Sequence, residues 1–218
     1  MIRFRWTSGI DFMDEQSEGF TRLDPLWYDN SMLYFDFQFE KTRQAAAELL
    51  RLHHLRMEYI RLLKLLYIAD RELLAEAGRT LTGDKAVAMK NGPVLSTVYK
   101  LIKSEGEKNL VQDWKSTIQR DGHEVVLIAD VSCNRLTKRE VNKLSEVSRR
   151  YCEVDSYELS ELTHDFQEWR DVFDTSNPNS SYPMSWEQAM VAQGASELIE
   201  AAKRLQESRS SFELLARE

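Results

Sequence analysis

Few side chains here have the type and spacing that chemistry needs. The chain holds four histidines, His53, His54, His123 and His164, and two cysteines, Cys133 and Cys152. The cysteines form no CxxC pair and have no neighbouring histidine pattern, and no HExxH or DxDxDG spacing occurs, so neither a metal nor another cofactor is expected. His53 and His54 should be neighbours on a helix, unable to face one ligand, and His123 should lie exposed beside a hairpin tip. His164, next to Asp165, could approach Asp70. A lone Asp–His pair with no assigned nucleophile is thin ground for acid–base catalysis. No catalytic residue is assigned, and the chain is expected not to be an enzyme.

Asp70 draws attention through the element that carries it. Residues 58–77 contain no Pro or Gly, and most are strong helix formers. Gly78 follows where a left-handed residue ends such a run. At about 100° per residue, Arg61, Lys64, Arg71, Glu72 and Glu76 cluster on one side, and Tyr59, Leu62, Leu63, Leu66, Leu73 and Leu74 on the other. Asp70 falls within the apolar side, where an unpaired carboxylate is costly. Downstream, residues 86–89 read as a strand, and Asn91-Gly92-Pro93 as a turn into another helix with Pro93 in its first turn. The N–H groups after Pro93 then make an acceptor site for a carboxylate, and Asp70 is expected to brace the backbone near Val94–Leu95. A phosphate site is the weaker reading of this loop, which lacks GxxxxGK[ST] and GxGxxG.

The remaining organisation is mainly α, a compact single-domain helical fold with a small β-hairpin or short sheet. Residues 44–55 read as a helix, and Asp121-Gly122 as a hairpin turn between residues 115–119 and 124–129. Thr137 with Glu140 makes a capping box for a helix to about Cys152. Asp155 with Glu158 starts a shorter helix bearing Leu159, Leu162 and His164. Residues 174–183 read as a loop, Ser185 caps a further helix closed by Gly194, and residues 195–218 form a terminal helix. Trp114, Trp169 and Trp186 are read as packing residues. Trp6, Trp27, Tyr28, Phe35 and Phe37 lie where no periodic helix would bury them and read as a sticky arm.

With 218 residues the chain can form one sizeable domain. No apolar run reaches the roughly 20 residues of a membrane span, and no signal-peptide pattern opens the chain, so the cytoplasm is the expected compartment. The net charge of −7 argues against nonspecific nucleic-acid binding. Two basic clusters, Arg51/Arg56/Arg61/Lys64 and Lys138/Arg139/Lys143/Arg149/Arg150, read as solvated helix faces or as a surface for an acidic partner.

Several motifs in one order resemble a known family. Leu66-Tyr67-Ile68-Ala69-Asp70, Gly78-Arg79, Thr82-Gly83-Asp84, Met89, Gly92-Pro93-Val94, Tyr99, residues 159–164 (LSELTH) and Trp169-Arg170 are similar to the pattern of the Panacea-domain, or SocA-like, antitoxins. The likeness runs from about Phe35 to Gly194. Residues 32–194 are therefore read as the domain, 195–218 as a C-terminal helix, and 1–31 as an extension or the product of a misplaced start codon. The resemblance implies an antitoxin that neutralises a cognate toxin by direct protein contact. One branch of the family implies an alternative, an adaptor delivering its toxin to a Clp-type protease. A DNA-binding autoregulator and a small-molecule-binding protein stay open beside these. Tyr67, Asp70, Arg71, Lys90, Gly92, Pro93, Tyr99 and His164 lie in the matched motifs and are the candidate partner-binding or structural residues. Arg71 is expected to touch the partner, and Asp70 to hold the Gly-Pro loop.

Overall fold

The computed structural model describes residues 33–215, with side chains placed through residue 208. Its organising element is the helix α2 (Tyr59–Ala77), which ends at left-handed Gly78 (φ 66°). Thirteen of its 19 residues are buried, so the helix is enclosed rather than half-exposed. Leu62, Leu63, Leu65 and Leu66 are at most 1% exposed, each burial worth roughly 1.5–3 kcal/mol.

The elements that enclose α2 are short. α1 (Phe39–Leu52) and α5 (Lys138–Arg150) pack against it, with α6 (Ser156–Thr163) and α8 (Trp186–Ala192) closing other sides. α3 (Ser96–Lys103), α4 (Lys108–Lys115), α7 (Gln167–Arg170) and α9 (Ile199–Leu215) complete the helices of the described residues. The capping box at α5 is present, with Thr137 and Glu140 satisfying each other's backbone N–H groups, and Asp155 caps α6. The first helix is earlier than its apolar pattern predicts, ending at Leu52, so His53 and His54 lie beyond it. His53 Nε2 lies 3.0 Å from Ser148 Oγ, while His54 turns to positive φ.

Two small antiparallel sheets flank the helices. In the first, β1 (Arg56–Glu58) and β4 (Ile118–Asp121) flank β5 (Glu124–Leu127), with Met57 opposite Val125 and Ile118 opposite Leu127. Gly122 and His123 form the turn of the expected hairpin, and His123 is exposed. In the second, β2 (Ala86–Met89) lies between β3 (Gly92–Leu95) and β6 (Tyr182–Pro183). Pro93 thus sits in a strand rather than in a helical first turn, and α3 starts only at Ser96. As β3 is an edge strand, a residue lacking N–H is tolerated there. Residues 182–183, expected in a loop, pair with Val87 and Ala88.

Several charges of the two basic clusters are engaged, while Arg56, Lys138, Arg139, Arg149 and Arg150 are exposed as expected of a solvated face. Arg61 donates to the carbonyls of Tyr151 and Val154, and Lys64 is fully buried. Lys143 contacts Glu72, Glu76 and Glu146, while Arg150 bridges Glu72 and Glu146. α5 is therefore clamped to α2 by charge as well as by Leu144 and Val147. Trp114 and Trp186 are buried as expected, and Trp169 is half-buried. Phe35 and Phe37 pack against the core instead of belonging to an exposed arm, whereas Trp6, Trp27 and Tyr28 lie outside the described residues.

Candidate functional site

Three buried polar braces fasten α2 to the segments around it. The first belongs to Asp70, which is fully buried. Its Oδ1 accepts the backbone N–H groups of Leu81 (2.6 Å) and Thr82 (2.9 Å), and its Oδ2 accepts the Thr82 hydroxyl. The carboxylate therefore holds the Thr80–Asp84 loop and not the expected Gly92-Pro93 segment. Burial raises its pKa to about 7, against the pull of the Thr82 and Leu81 bonds. The work expected of Asp70 at the start of α3 is done by Asp84, which accepts from the N–H groups of Thr97 and Val98 at 2.9 Å each. Trp186 Nε1 donates to the Asp84 carbonyl, tying α8 into the same loop.

The second brace grips the turn between β2 and β3. Lys64 Nζ donates to the Pro93 carbonyl at 2.8 Å, and burial pushes its pKa well down. Ser160 donates to the Asn91 carbonyl at 2.6 Å, and Trp169 Nε1 to the Met89 carbonyl at 3.0 Å. Gly92 makes this closeness feasible. It has φ 87°, and a Cβ there would collide with Thr163 Oγ1 and lie 2.8 Å from Lys64 Nζ. Lys90, at the tip of the turn, is half-buried.

The third brace centres on Glu168, whose side chain is 0% exposed. Arg71 Nε (2.5 Å) and Nη2 (3.2 Å) donate to it, as does the Tyr67 hydroxyl at 2.9 Å. The Arg71 guanidinium also lies 4.2 Å from the Phe166 ring centroid, and Tyr67 stacks on Trp186 at 5.7 Å. Arg71 is therefore held by the fold at its guanidinium, not extended as the free arm its place on the polar face suggests. Such a pair costs little while complete and much when one partner is removed.

The candidate residues thus divide. Tyr67 and Arg71 meet at Glu168, and Gly92 packs beside His164, whose Cδ2 would be 3.3 Å from a Cβ added at the glycine. Tyr99 is half-buried on α3, within 5.9 Å of Lys103 Nζ. His164 stacks on Trp169 at 4.3 Å, and Trp169 stacks on Phe173 at 4.6 Å. Its Nδ1 lies 3.5 Å from Glu161, and its Nε2 is buried with no hydrogen-bond partner among the described residues. Burial lowers its pKa, the Lys64 charge acting in the same direction. His164 and Asp70 do not meet, since each is fixed by a different brace. Glu168 and Asp84 carry bonds that sequence reasoning did not assign. Neither was legible locally, since Asp84 reaches residues 13 and 14 positions away and Glu168 residues about 100 away.

Among the described residues no group of three or more His, Cys, Asp or Glu side chains is placed to hold a metal ion, and no helix is long and apolar enough to cross a membrane. An open concavity of about 420 Å³ lies between Phe37–Lys41 and Arg135, beside the loop that Asp70 holds, where the Gln38 N–H donates to the Thr82 carbonyl at 2.7 Å. Fold and site together define a helical domain with two small sheets, in which buried polar groups fasten loops to a central helix. The family model described as antitoxin SocA-like, Panacea domain, matches residues 62–170, half of the chain, and the chain belongs to that family. No curated protein and no solved structure matches it.

Proposed function

We propose that this chain is an antitoxin that neutralises a cognate toxin by direct protein–protein binding, acting in the cytoplasm and without catalysis of its own. One observation carries this reading. The matched span, residues 62–170, contains Lys64, Tyr67, Asp70, Arg71, Asp84, Gly92, Thr163 and Glu168, so the side chains that form the braces fall within it. Residues of that span which fasten loops to a central helix suit a protein whose work is to present a surface. A preorganised surface loses less entropy on association. An interface of standard size, about 800 Å² per partner, needs such a scaffold beneath it.

Co-expression with the product of the adjacent open reading frame tests the reading. That product should arrest growth alone and be silenced by this chain. Continued arrest in the presence of the chain would refute neutralisation. The same pair in a host lacking Clp-type proteases separates binding from delivery. Protection should persist there, and its loss would convert the reading to that of an adaptor.

A further inference from the structure

The outer face of α6 is one part of the matched region that the braces leave outward-facing. Its inner face is occupied: Leu159 and Thr163 are fully buried, and Ser160 bonds the Asn91 carbonyl. Tyr157 is 61% exposed and Leu162 41%. At about 100° per residue, Glu161 and Glu158 fall between these two apolar side chains, on one arc of about 140°. The helix therefore presents two apolar seats with carboxylates between them.

Charge decides what can cover this face. Residues 151–169 carry six carboxylates and no lysine or arginine, in a chain of net charge −7. Three of the six are engaged: Glu168 by Arg71, Asp165 by Arg170, and Asp155 as the α6 cap. Among the described residues, Glu153 meets only the Cys152 thiol at 3.8 Å, and Glu161 only His164 at 3.5 Å. Between α2 and α5 the contrary holds, since Glu72 and Glu76 of α2 and Glu146 of α5 are neutralised by Lys143, Arg139 and Arg150. Negative charge is thus uncompensated where apolar side chains are also exposed. Such a combination disfavours an acidic or neutral apolar partner through unpaired charge.

We infer that the Tyr157–Leu162 face of α6 is the docking surface for a basic protein face, one that places lysine or arginine side chains between two apolar contacts. This rests on the antitoxin reading above, and it assigns that face to the toxin. The aromatic and aliphatic side chains supply the anchor, and Glu158 and Glu161 steer the encounter.

The test uses the full chain and the purified product of the adjacent reading frame. A Glu158→Lys/Glu161→Lys double variant should slow association about tenfold or more at low salt and flatten its salt dependence. Tyr157→Ala should weaken binding about 30-fold, the scale of an aromatic hot spot. A control of equal charge change, Glu105→Lys/Glu200→Lys, should do neither, and unchanged circular dichroism and melting confirm folding. Wild-type binding with α6 variants that bind equally well would overturn this inference and leave the antitoxin reading standing. Absence of wild-type binding would overturn both. If the α6 variants instead alter only self-association, the face joins copies of this chain and the inference is wrong.

Discussion

Replacing Asp70 by Asn probes the first brace through its proton. The folded carboxyl titrates at about 7 against an ordinary value of 3.8, raised chiefly by burial. Because the folded pKa is raised, the native state holds the proton more tightly than the unfolded chain does. The associated stability is present below about pH 4 and is lost as pH rises through 7. A difference of about 3 pKa units at 1.36 kcal/mol each gives a total of about 4 kcal/mol. Asn keeps the geometry: its Oδ1 can accept from Leu81 and Thr82, and its Nδ2 can donate to the Thr82 hydroxyl. It cannot ionise. Urea unfolding followed by tryptophan fluorescence at pH steps from 4 to 8 measures both proteins. The stability of Asp70→Asn relative to wild type should climb by up to about 4 kcal/mol, most steeply near pH 5–7, and then level off. A difference that stays flat across that range would refute burial as the dominant influence on Asp70.

Three further outcomes follow from the other contacts. Glu168→Ala leaves the Arg71 charge and the Tyr67 hydroxyl without their buried acceptor and should cost about 3–5 kcal/mol in chemical denaturation, whereas Arg71→Met/Glu168→Leu should recover most of that loss. Gly92→Ala forces a Cβ against Thr163 Oγ1 and Lys64 Nζ at positive φ, and the combined strain and overpacking should cost about 2–5 kcal/mol in the same assay. Thr137→Ala removes the hydroxyl half of the α5 capping box, and the loss should be about 1 kcal/mol, read as a lower melting temperature.

Local chemistry is the legible part of this fold. The Thr137 capping box, the Asp155 cap and the Gly78 helix stop depend on neighbours a few residues away and are in place, and the expected hairpin forms with its turn one residue later, at Gly122-His123. Expectation and structure part where a residue's partner lies far along the chain. Helical periodicity places Lys64 and Arg61 on a polar face, which holds for a helix with one wet side. α2 is enclosed, so Lys64 is buried against the Pro93 carbonyl and Arg61 reaches the carbonyls after α5. Asp70 does brace a backbone segment, but the choice between residues 81–82 and 94–95 depends on tertiary packing. Pro93 is expected in a helical first turn, but it pairs with Ala88 in an edge strand, where the missing N–H is equally tolerated.

The central claim, neutralisation by direct contact, is tested most directly with two purified proteins and no protease. Titrating the full chain into the product of the adjacent reading frame should give a saturable complex, and the product's inhibition of cell-free translation or other measured toxic activity should fall in proportion to complex formed. Full toxic activity in the presence of excess chain, with no heat of binding and no co-elution, would contradict it.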